Sequence, residues 1–132
     1  PSGQVLIASA TGRDELLLSG LRAGAQGAVG STYNFAAPLY LEIIRDFRAG
    51  DLKRAEEWQH TAVRMIDAAA HAGGSPIANF KALMAGLGLD CGPTRPPLRA
   101  PTSSQLNALR AMLRNLGFEK FCCKRPTSLS TA

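Results

Sequence analysis

Two short polar segments of the chain place hydrogen-bonding side chains directly after apolar runs. Asp14 and Glu15 are adjacent carboxylates that follow the first run, and Ser31 and Thr32 are adjacent hydroxyls that follow the second. The two runs have the length of buried strands and lie about one strand-helix unit apart. Strands with this spacing are neighbours in a parallel sheet, and the loops after them open on one rim, where parallel α/β proteins place their active sites. The sequence therefore predicts a cluster of carboxylates and hydroxyls at the rim of a parallel sheet.

Each of these side chains also suits an ordinary structural role. Acids in the first turn of a helix interact favourably with the helix dipole, which fits Asp14 and Glu15. Ser31 and Thr32 are typical of turns and helix caps. No histidine is predicted to lie near Ser31, so the pattern does not indicate a serine nucleophile. From the residues alone, the structural and the ligand-binding interpretations both stay open.

Composition places the chain among globular proteins and argues against several partners. Its 132 residues are 45% hydrophobic and 19% charged, which suits one domain of ordinary size. No segment approaches the ~18 unbroken apolar residues of a membrane helix, so we expect no membrane association. The net charge of +5 comes from arginines scattered over several predicted helices, without interleaved aromatics. We therefore expect no nucleic-acid partner. The chain starts without Met or a basic leader, which suggests an internal starting point.

The histidines and cysteines do not form a metal site in the predicted arrangement. His60 and His71 fall on one long predicted helix, ~16 Å apart along its axis, which is too far for one metal ion. Cys91, Cys122 and Cys123 lack the Cys-x-x-Cys spacing of zinc and redox motifs. We expect three free thiols and a cytoplasmic protein with no metal and no cofactor.

Two strands and five helices must position the polar segments. Apolar runs predict strands at 5–8 and 27–30. Helical periodicity and stop signals predict helices over 15–23, 38–48, 51–72, 76–87 and a last one that ends before Gly117. Predicted N-caps are Thr11, which heads a Thr-x-x-Asp signature, Asp51, Ser75, and either Ser103 or Ser104. A loop rich in proline and glycine covers 88–102, and residues 122–132 are predicted to be a disordered tail.

This inventory is incomplete for an independent α/β domain. A sheet of two parallel strands leaves two edges open, whereas parallel sheets normally pair many strands and cover both faces. The sequence is mostly helical and predicts an α/β architecture from which strands are missing.

Four motifs of the chain resemble one enzyme family. They are Gly12-x-Asp14-Glu15, the run Gly24-Ala25-x-Gly27-Ala28-Val29-Gly30-Ser31-Thr32-Tyr33-Asn34, Phe47-x-x-Gly50-Asp51 and Arg95-x-Pro97-Leu98. Together they resemble the C-terminal part of the pyruvate-dependent class I aldolases, the superfamily of N-acetylneuraminate lyase and dihydrodipicolinate synthase, and they favour the lyase branch.

The resemblance implies the C-terminal fragment of a TIM (β/α)8 barrel followed by extra helices. On that plan residues 5–10 resemble strand seven and residues 28–30 strand eight. Residues 1–50 would be the last two βα units and residues 51–121 the C-terminal helical extension. Six of the eight βα units would lie outside this chain, which accounts for its small number of strands.

The reaction that the resemblance implies is cleavage of N-acetylneuraminate to N-acetylmannosamine and pyruvate through a Schiff base on lysine. The family's lysine and tyrosine lie on earlier strands, so no catalytic residue is expected here and the chain alone is expected to be inactive. Family members are commonly homotetramers, and we expect the same of the parent protein.

What the resemblance carries over to this chain is one side of a sugar-acid pocket. Asp14 and Glu15 match positions that accept hydrogen bonds from substrate hydroxyls. Gly12 and Gly30 match positions where the ligand approaches the backbone, and Ser31 matches a hydroxyl contact. Two other interpretations stay open: a different pyruvate-dependent aldolase of the superfamily, and a truncated product retained as a non-catalytic binding or oligomerisation module.

Overall fold

A computed structural model of the chain describes the strand residues 7–8 and residues 13–124. In chain order the strands are β1 and β2 and the α-helices are α1 to α5, with one 3-10 helix before α1 and another after α5. Their bounds are β1 Ile7–Ala8, 3-10 helix Asp14–Leu16, α1 Leu17–Arg22, β2 Gly27–Ala28, α2 Tyr33–Arg48, α3 Leu52–Ala70, α4 Pro76–Gly86, α5 Ser103–Asn115 and 3-10 helix Phe118–Lys120. Most of the described residues are helical, as predicted.

The two strands form a short parallel sheet, as their spacing predicted. Ile7 lies opposite Gly27, and Ala8 lies opposite Ala28. The second strand is shorter than predicted, because Val29 and Gly30 already belong to the connection that leads to α2. The sheet thus places the residues after β2 beside the start of the 3-10 helix.

The first helix begins differently from its prediction. Asp14–Leu16 is a 3-10 turn, and the α-helix proper starts at Leu17. Leu16, one of the apolar residues of the helix predicted over 15–23, is 47% exposed, whereas Leu18 is buried. The tighter 3-10 turn rotates the apolar face by a residue, which explains the change. The predicted cap Thr11 lies outside the described residues.

Helix α2 starts five residues earlier than its predicted start at Pro38. Residues from Tyr33 onward are already helical, and the irregular backbone of Ala36 (φ −133°, ψ 28°) separates a first turn from the rest. A proline tolerates helical geometry near a helix start but breaks the hydrogen-bond ladder further in. The prediction that this helix begins only at residue 38 is therefore wrong: residues 33–36 form a kinked first turn.

Helix α3 packs along α2 and carries a cap that the sequence identified. The Asp51 carboxylate accepts a hydrogen bond from the backbone N–H of Arg54 at 3.1 Å, as an N-cap should. The helix buries Ala55, Ala62 and Met65 along the stripe that helical periodicity predicted. Gln59 lies on the same buried stripe, which the prediction did not include.

The caps of the last two helices include one confirmed prediction and one wrong one. Ser75 Oγ accepts from the N–H of Ala78, so Ser75 caps α4 as predicted. For α5 the cap is Thr102, one residue before the predicted serines. Thr102 Oγ1 accepts from the N–H of Gln105, and the Gln105 side chain accepts from the N–H of Thr102. This reciprocal capping box favours Thr102, because only there does a glutamine stand three residues on.

One apolar core joins the five α-helices of the described residues. Phe35, Leu39 and Ile43 of α2 are fully buried in this core, and Leu109 and Leu113 of α5 are buried in it as well. The core continues across residue 50, where the family plan divides the chain into barrel units and a helical extension. That division says which part of the family fold each element corresponds to, and it stays a prediction.

The disordered tail was predicted to begin at residue 122, which is too early. The N–H of Cys122 donates to the carbonyl of Phe118, and the N–H of Cys123 donates to the carbonyl of Phe35, both at 2.8 Å. These bonds dock the segment onto the start of α2, so the ordered part reaches at least Cys123. Residues 125–132 lie outside the described part of the chain.

Candidate functional site

The centre of the candidate site is the carboxylate of Asp14, at the start of the first 3-10 helix. Asp14 is only 3% exposed. Its Oδ2 atom accepts a hydrogen bond from the backbone N–H of Thr32 at 2.9 Å and a second from the Thr32 hydroxyl. The two polar segments that follow β1 and β2 are thus joined directly, as the spacing of the strands predicted.

The hydroxyl of Tyr40 extends this pair into a chain of three residues. Thr32 Oγ1 and Tyr40 Oη are within hydrogen-bond distance. Because the single hydroxyl proton of Thr32 goes to the Asp14 carboxylate, Tyr40 must be the donor to Thr32. Burial raises the pKa of Tyr40, and the negative charge of Asp14 adds to that rise. Tyr40 therefore stays a protonated donor. We call this set, Tyr40, Thr32 and Asp14, the hydroxyl relay.

The other carboxylate oxygen of Asp14 has no hydrogen-bond partner among the described residues, although it is buried. It lies where a side chain on residue 30 would begin: a Cβ built on Gly30 would be 1.7 Å from Asp14 Oδ1. Gly30 thus leaves room for the carboxylate itself. A buried, ionised oxygen without a donor is costly, so this atom is the natural place for a ligand's hydroxyl or a water molecule.

The remaining predicted site residues adjoin Asp14 or Thr32 in the sequence and differ in their exposure. The Glu15 side chain is 34% exposed, with its Oε1 4.0 Å from Nη1 of Arg13. Ser31 is half-buried, and its carbonyl accepts a hydrogen bond from the Asn34 side chain at 2.9 Å. Ser31 immediately precedes the threonine that binds Asp14. Gly12 lies outside the described residues.

Gln59 of α3 binds the backbone of residues 14 and 18, and the sequence did not predict this role. Its Oε1 accepts from the N–H of Leu18 at 2.9 Å, and its Nε2 donates to the carbonyl of Asp14 at 3.4 Å. A glutamine on the apolar stripe of a helix was the available signal, because a buried amide needs partners for both of its polar atoms.

The two tyrosines of the chain pack against each other beside Thr32, the partner of the Asp14 carboxylate. The rings of Tyr33 and Tyr40 are 4.0 Å apart between centroids, and Tyr40 makes one hydrogen bond, to Thr32. For Thr32 the sequence left a turn or cap role and a ligand-binding role open, and in the structure its side chain binds Asp14.

Other functional groups are not assembled in the part of the chain that the structure describes. Its His, Cys, Asp and Glu side chains form no group of three that could hold a metal ion. Lys53, Lys81 and Lys120 lie on α3, α4 and the last 3-10 helix, far along the chain from the two strand ends. All three cysteines are free thiols. No helix of the described residues has the length and apolarity needed to cross a membrane.

Known proteins similar to this chain are larger than it is. The chain is 39% identical over 99 residues to the N-acetylneuraminate lyase of Rhizobium meliloti (strain 1021), which is 75% of this chain and 32% of that protein. It is 37% identical over 89 residues to 4-hydroxy-tetrahydrodipicolinate synthase 1 of Streptomyces coelicolor, 67% of this chain and 29% of that protein. The structure of Proteus mirabilis N-acetylneuraminate lyase matches with a TM-score of 0.72 at 38% identity, over 80% of this chain and 35% of that one. The chain therefore spans about a third of the length of these relatives.

The resemblance drawn from the sequence motifs is confirmed by these matches. The solved structures that the chain resembles are aldolases of the TIM-barrel class. A family profile, that of the dihydrodipicolinate synthetases, matches residues 5–116 and so covers both strands, the hydroxyl relay and most of the C-terminal helices. The chain belongs to the dihydrodipicolinate synthetase family.

Proposed function

We propose that this chain forms the sugar-binding side of an N-acetylneuraminate lyase, a class I aldolase that releases N-acetylmannosamine and pyruvate. The observation that supports this most is the unpartnered Oδ1 of Asp14, a buried acceptor at the end of a barrel strand. A polyhydroxylated sugar acid offers the donors that such an atom lacks. The curated relative with 39% identity carries the name of this lyase.

In this proposal five residues contact the substrate. Asp14 and Glu15 accept hydrogen bonds from its hydroxyls, and the half-buried hydroxyl of Ser31 makes a further contact. Gly12 and Gly30 keep the backbone accessible next to the ligand. At Gly30 the space of the missing side chain holds the Asp14 carboxylate, so this glycine serves the pocket by admitting that side chain.

The bond-breaking step requires a lysine that forms a Schiff base with the keto carbon, and the resulting iminium accepts the electron pair of the breaking carbon-carbon bond. We propose that this lysine lies outside these 132 residues. Neither a metal ion nor a cofactor takes part. Incubating the chain with pyruvate and borohydride should leave its mass unchanged, and a stable adduct on one specific lysine would contradict this assignment.

A hybrid enzyme tests the function itself. In this hybrid enzyme the full chain replaces the matching C-terminal segment of the Rhizobium meliloti lyase, which keeps its own upstream part. We expect the hybrid enzyme to release pyruvate from N-acetylneuraminate and to lose most of this activity on substitution of Asp14→Ala. A folded hybrid enzyme that binds pyruvate but never cleaves the sugar acid would argue against the proposal.

The second candidate is another pyruvate-dependent aldolase with a different aldehyde. The 37% identity to a 4-hydroxy-tetrahydrodipicolinate synthase favours keeping it. The same hybrid enzyme distinguishes the two when its condensation of pyruvate with N-acetylmannosamine is compared with that of aldehydes lacking the polyol. The third candidate is a truncated, non-catalytic binding or oligomerisation module, for which the chain alone should remain soluble without aggregating.

We further propose that the parent protein is a cytoplasmic homotetramer. Free thiols favour a reducing compartment. Sedimentation of the hybrid enzyme reports its assembly, and a monomer with full activity would contradict the tetramer.

A further inference from the structure

We propose that Thr32 and Tyr40 are positioning residues that make Asp14 a single, fixed acceptor for one ligand hydroxyl. This inference rests on the proposed function for the identity of the ligand, but its geometry stands on the structure of the chain. Two protein donors converge on Oδ2 of Asp14, the N–H and the hydroxyl of Thr32. The other oxygen of the carboxylate, Oδ1, receives none from the described residues.

The direction of each hydrogen bond in the relay follows from the number of hydrogens that each group can donate. A carboxylate only accepts, so both hydrogens directed at Oδ2 come from Thr32. Thr32 then has lone pairs but no proton left for Tyr40, so the Tyr40 hydroxyl donates to Thr32. Removing the Tyr40 hydroxyl therefore removes only the bond to Thr32, whereas removing the Thr32 hydroxyl also removes the bond to Asp14.

The relay also fixes which way Oδ1 faces. With Oδ2 held by Thr32, Oδ1 lies over Gly30, in the space that a Cβ there would occupy. Gln59 restrains the backbone of the same residue through the Asp14 carbonyl. The carboxylate is thereby held on both its side chain and its main chain, and a ligand hydroxyl meets a pre-oriented acceptor, which lowers the ordering cost of binding.

Loss of this positioning should change the kinetic constants differently from a general loss of structure. The proposed contact is with a hydroxyl of the sugar chain, away from the bond that breaks, so its loss should raise KM and leave kcat nearly unchanged. For a substrate without that hydroxyl, substitutions in the relay should leave KM unchanged. A merely structural role would lower the activity toward both kinds of substrate.

The first experiment uses the full chain and needs no activity. Three-bond couplings measured by NMR report the side-chain rotamer of Asp14. We expect one rotamer in the unchanged chain and in Tyr33→Phe, whose hydroxyl makes no hydrogen bond among the described residues, and averaging in Thr32→Val. Thr32→Ser, which keeps a hydroxyl, should restore the single rotamer. If Asp14 holds one rotamer in Thr32→Val, the proposal is overturned.

The second experiment measures the hybrid enzyme with N-acetylneuraminate and with a short 4-hydroxy-2-keto acid that has no further hydroxyl. Thr32→Val should raise KM for N-acetylneuraminate by about tenfold, with kcat within about twofold. Tyr40→Phe should act in the same direction but less, and Tyr33→Phe should change neither constant. For the short acid Thr32→Val should leave kcat/KM unchanged.

The two experiments separate the proposal from the function on which it rests. An inactive hybrid enzyme together with the expected rotamer behaviour contradicts the function and keeps the positioning of Asp14. Equal losses for both substrates, in a hybrid enzyme that is active before substitution, contradict the positioning of Asp14 as a hydroxyl acceptor.

Discussion

At the scale of single residues, Asp14 and Gly30 depend on each other. The carboxylate is buried and held by two donors from Thr32, so it has little freedom to move away from residue 30. Its Oδ1 occupies the volume that any larger residue at that position would need. The sequence motif marked both residues as important, and the structure adds a reason that holds before any ligand binds.

Gly30→Ala should therefore disturb the chain far more than an alanine at a nearby glycine. The new Cβ would displace the Asp14 carboxylate and weaken its bonds to Thr32, which we expect to cost about 2 kcal/mol in the free energy of unfolding. Gly27→Ala is the matched control, because a Cβ there meets nothing within 4 Å. Urea unfolding compares the two variants, and similar midpoints would contradict the mutual fit of Asp14 and Gly30.

The chain's two tyrosines make its stability sensitive to strong base. Burial, and then the negative charge of Asp14, raise the pKa of Tyr33 above its ordinary value of 10.0, and burial raises that of Tyr40 as well. The folded chain therefore holds these protons more tightly than the unfolded chain. The stabilisation is fully present below pH 10 and is lost as the pH rises through the raised pKa values.

We expect tyrosinate absorbance to appear only together with unfolding as the pH rises. Absorbance and far-UV circular dichroism, recorded on the same samples, should change at the same pH. Ionisation of either tyrosine near pH 10 in a chain that is still helical would show that the rings are more exposed than the structure has them.

Among the site residues, the sequence identified those that belong to recognisable motifs. It missed those that matter because they bond to residues far away in the chain. Asp14 and Ser31 were found because they follow apolar runs. The bond between Thr32 and Asp14 was not predicted, since a contact with a residue 18 positions earlier depends on how β1 and β2 pair. Gln59 contacts the backbone 41 and 45 positions away, and no local pattern indicates such a partner.

At the scale of elements, a cluster of polar and charged side chains around the buried carboxylate of Asp46 joins the two longest helices. Asp46 of α2 accepts a hydrogen bond from Nε1 of Trp58 of α3 at 3.1 Å. Its carboxylate also lies 3.0 Å from Arg45 and 3.4 Å from Arg54. Because Asp46 is buried and these partners come from both helices, it fixes how α2 and α3 pack.

Asp46→Ala should destabilise the chain by about 2 kcal/mol, because it removes a buried acceptor and leaves the Trp58 N–H without one. Glu42→Ala is the control: it breaks an ion pair with the same Arg45, but on the more exposed side of the helix, where we expect about 0.5 kcal/mol. Chemical unfolding monitored by Trp58 fluorescence measures both. Equal effects would contradict the role of the cluster in joining the helices.

Helix positions were largely predictable, and their starts less so. Asp51 and Ser75 cap α3 and α4 as predicted, since a capping side chain acts on its own next residues. The start of α2 was predicted at Pro38, where the helical periodicity of apolar residues begins. The turn before it forms because Phe35 and Ala36 are buried in the core, which is a tertiary effect.

At the scale of the whole molecule, the described part of the chain leaves large apolar side chains in solvent next to the site. Val29 after β2 is 63% exposed and Leu41 of α2 is 62% exposed. The sheet has two strands, and each has one edge without a partner among the described residues. Edges and apolar patches of this kind promote association.

We therefore expect the chain alone to self-associate at high concentration, and Val29→Thr to reduce this. Threonine keeps the β-branched shape while removing exposed apolar surface. Sedimentation velocity over a range of concentrations measures the change, with Leu98→Thr as a control at an exposed leucine of the proline-rich loop. A chain that remains monomeric throughout would favour the independent module.

The measurement that tests the central claim most directly is the rate at which the hybrid enzyme releases pyruvate from N-acetylneuraminate, before and after Asp14→Asn. We expect an active hybrid enzyme whose kcat/KM falls by about tenfold or more in the variant, because an amide at this position replaces one carboxylate oxygen by a hydrogen-bond donor. For a short 4-hydroxy-2-keto acid without further hydroxyls, the same substitution should change kcat/KM little. Unchanged kinetics with N-acetylneuraminate in a folded Asp14→Asn variant would contradict the assignment of this chain as the sugar-binding side of the enzyme.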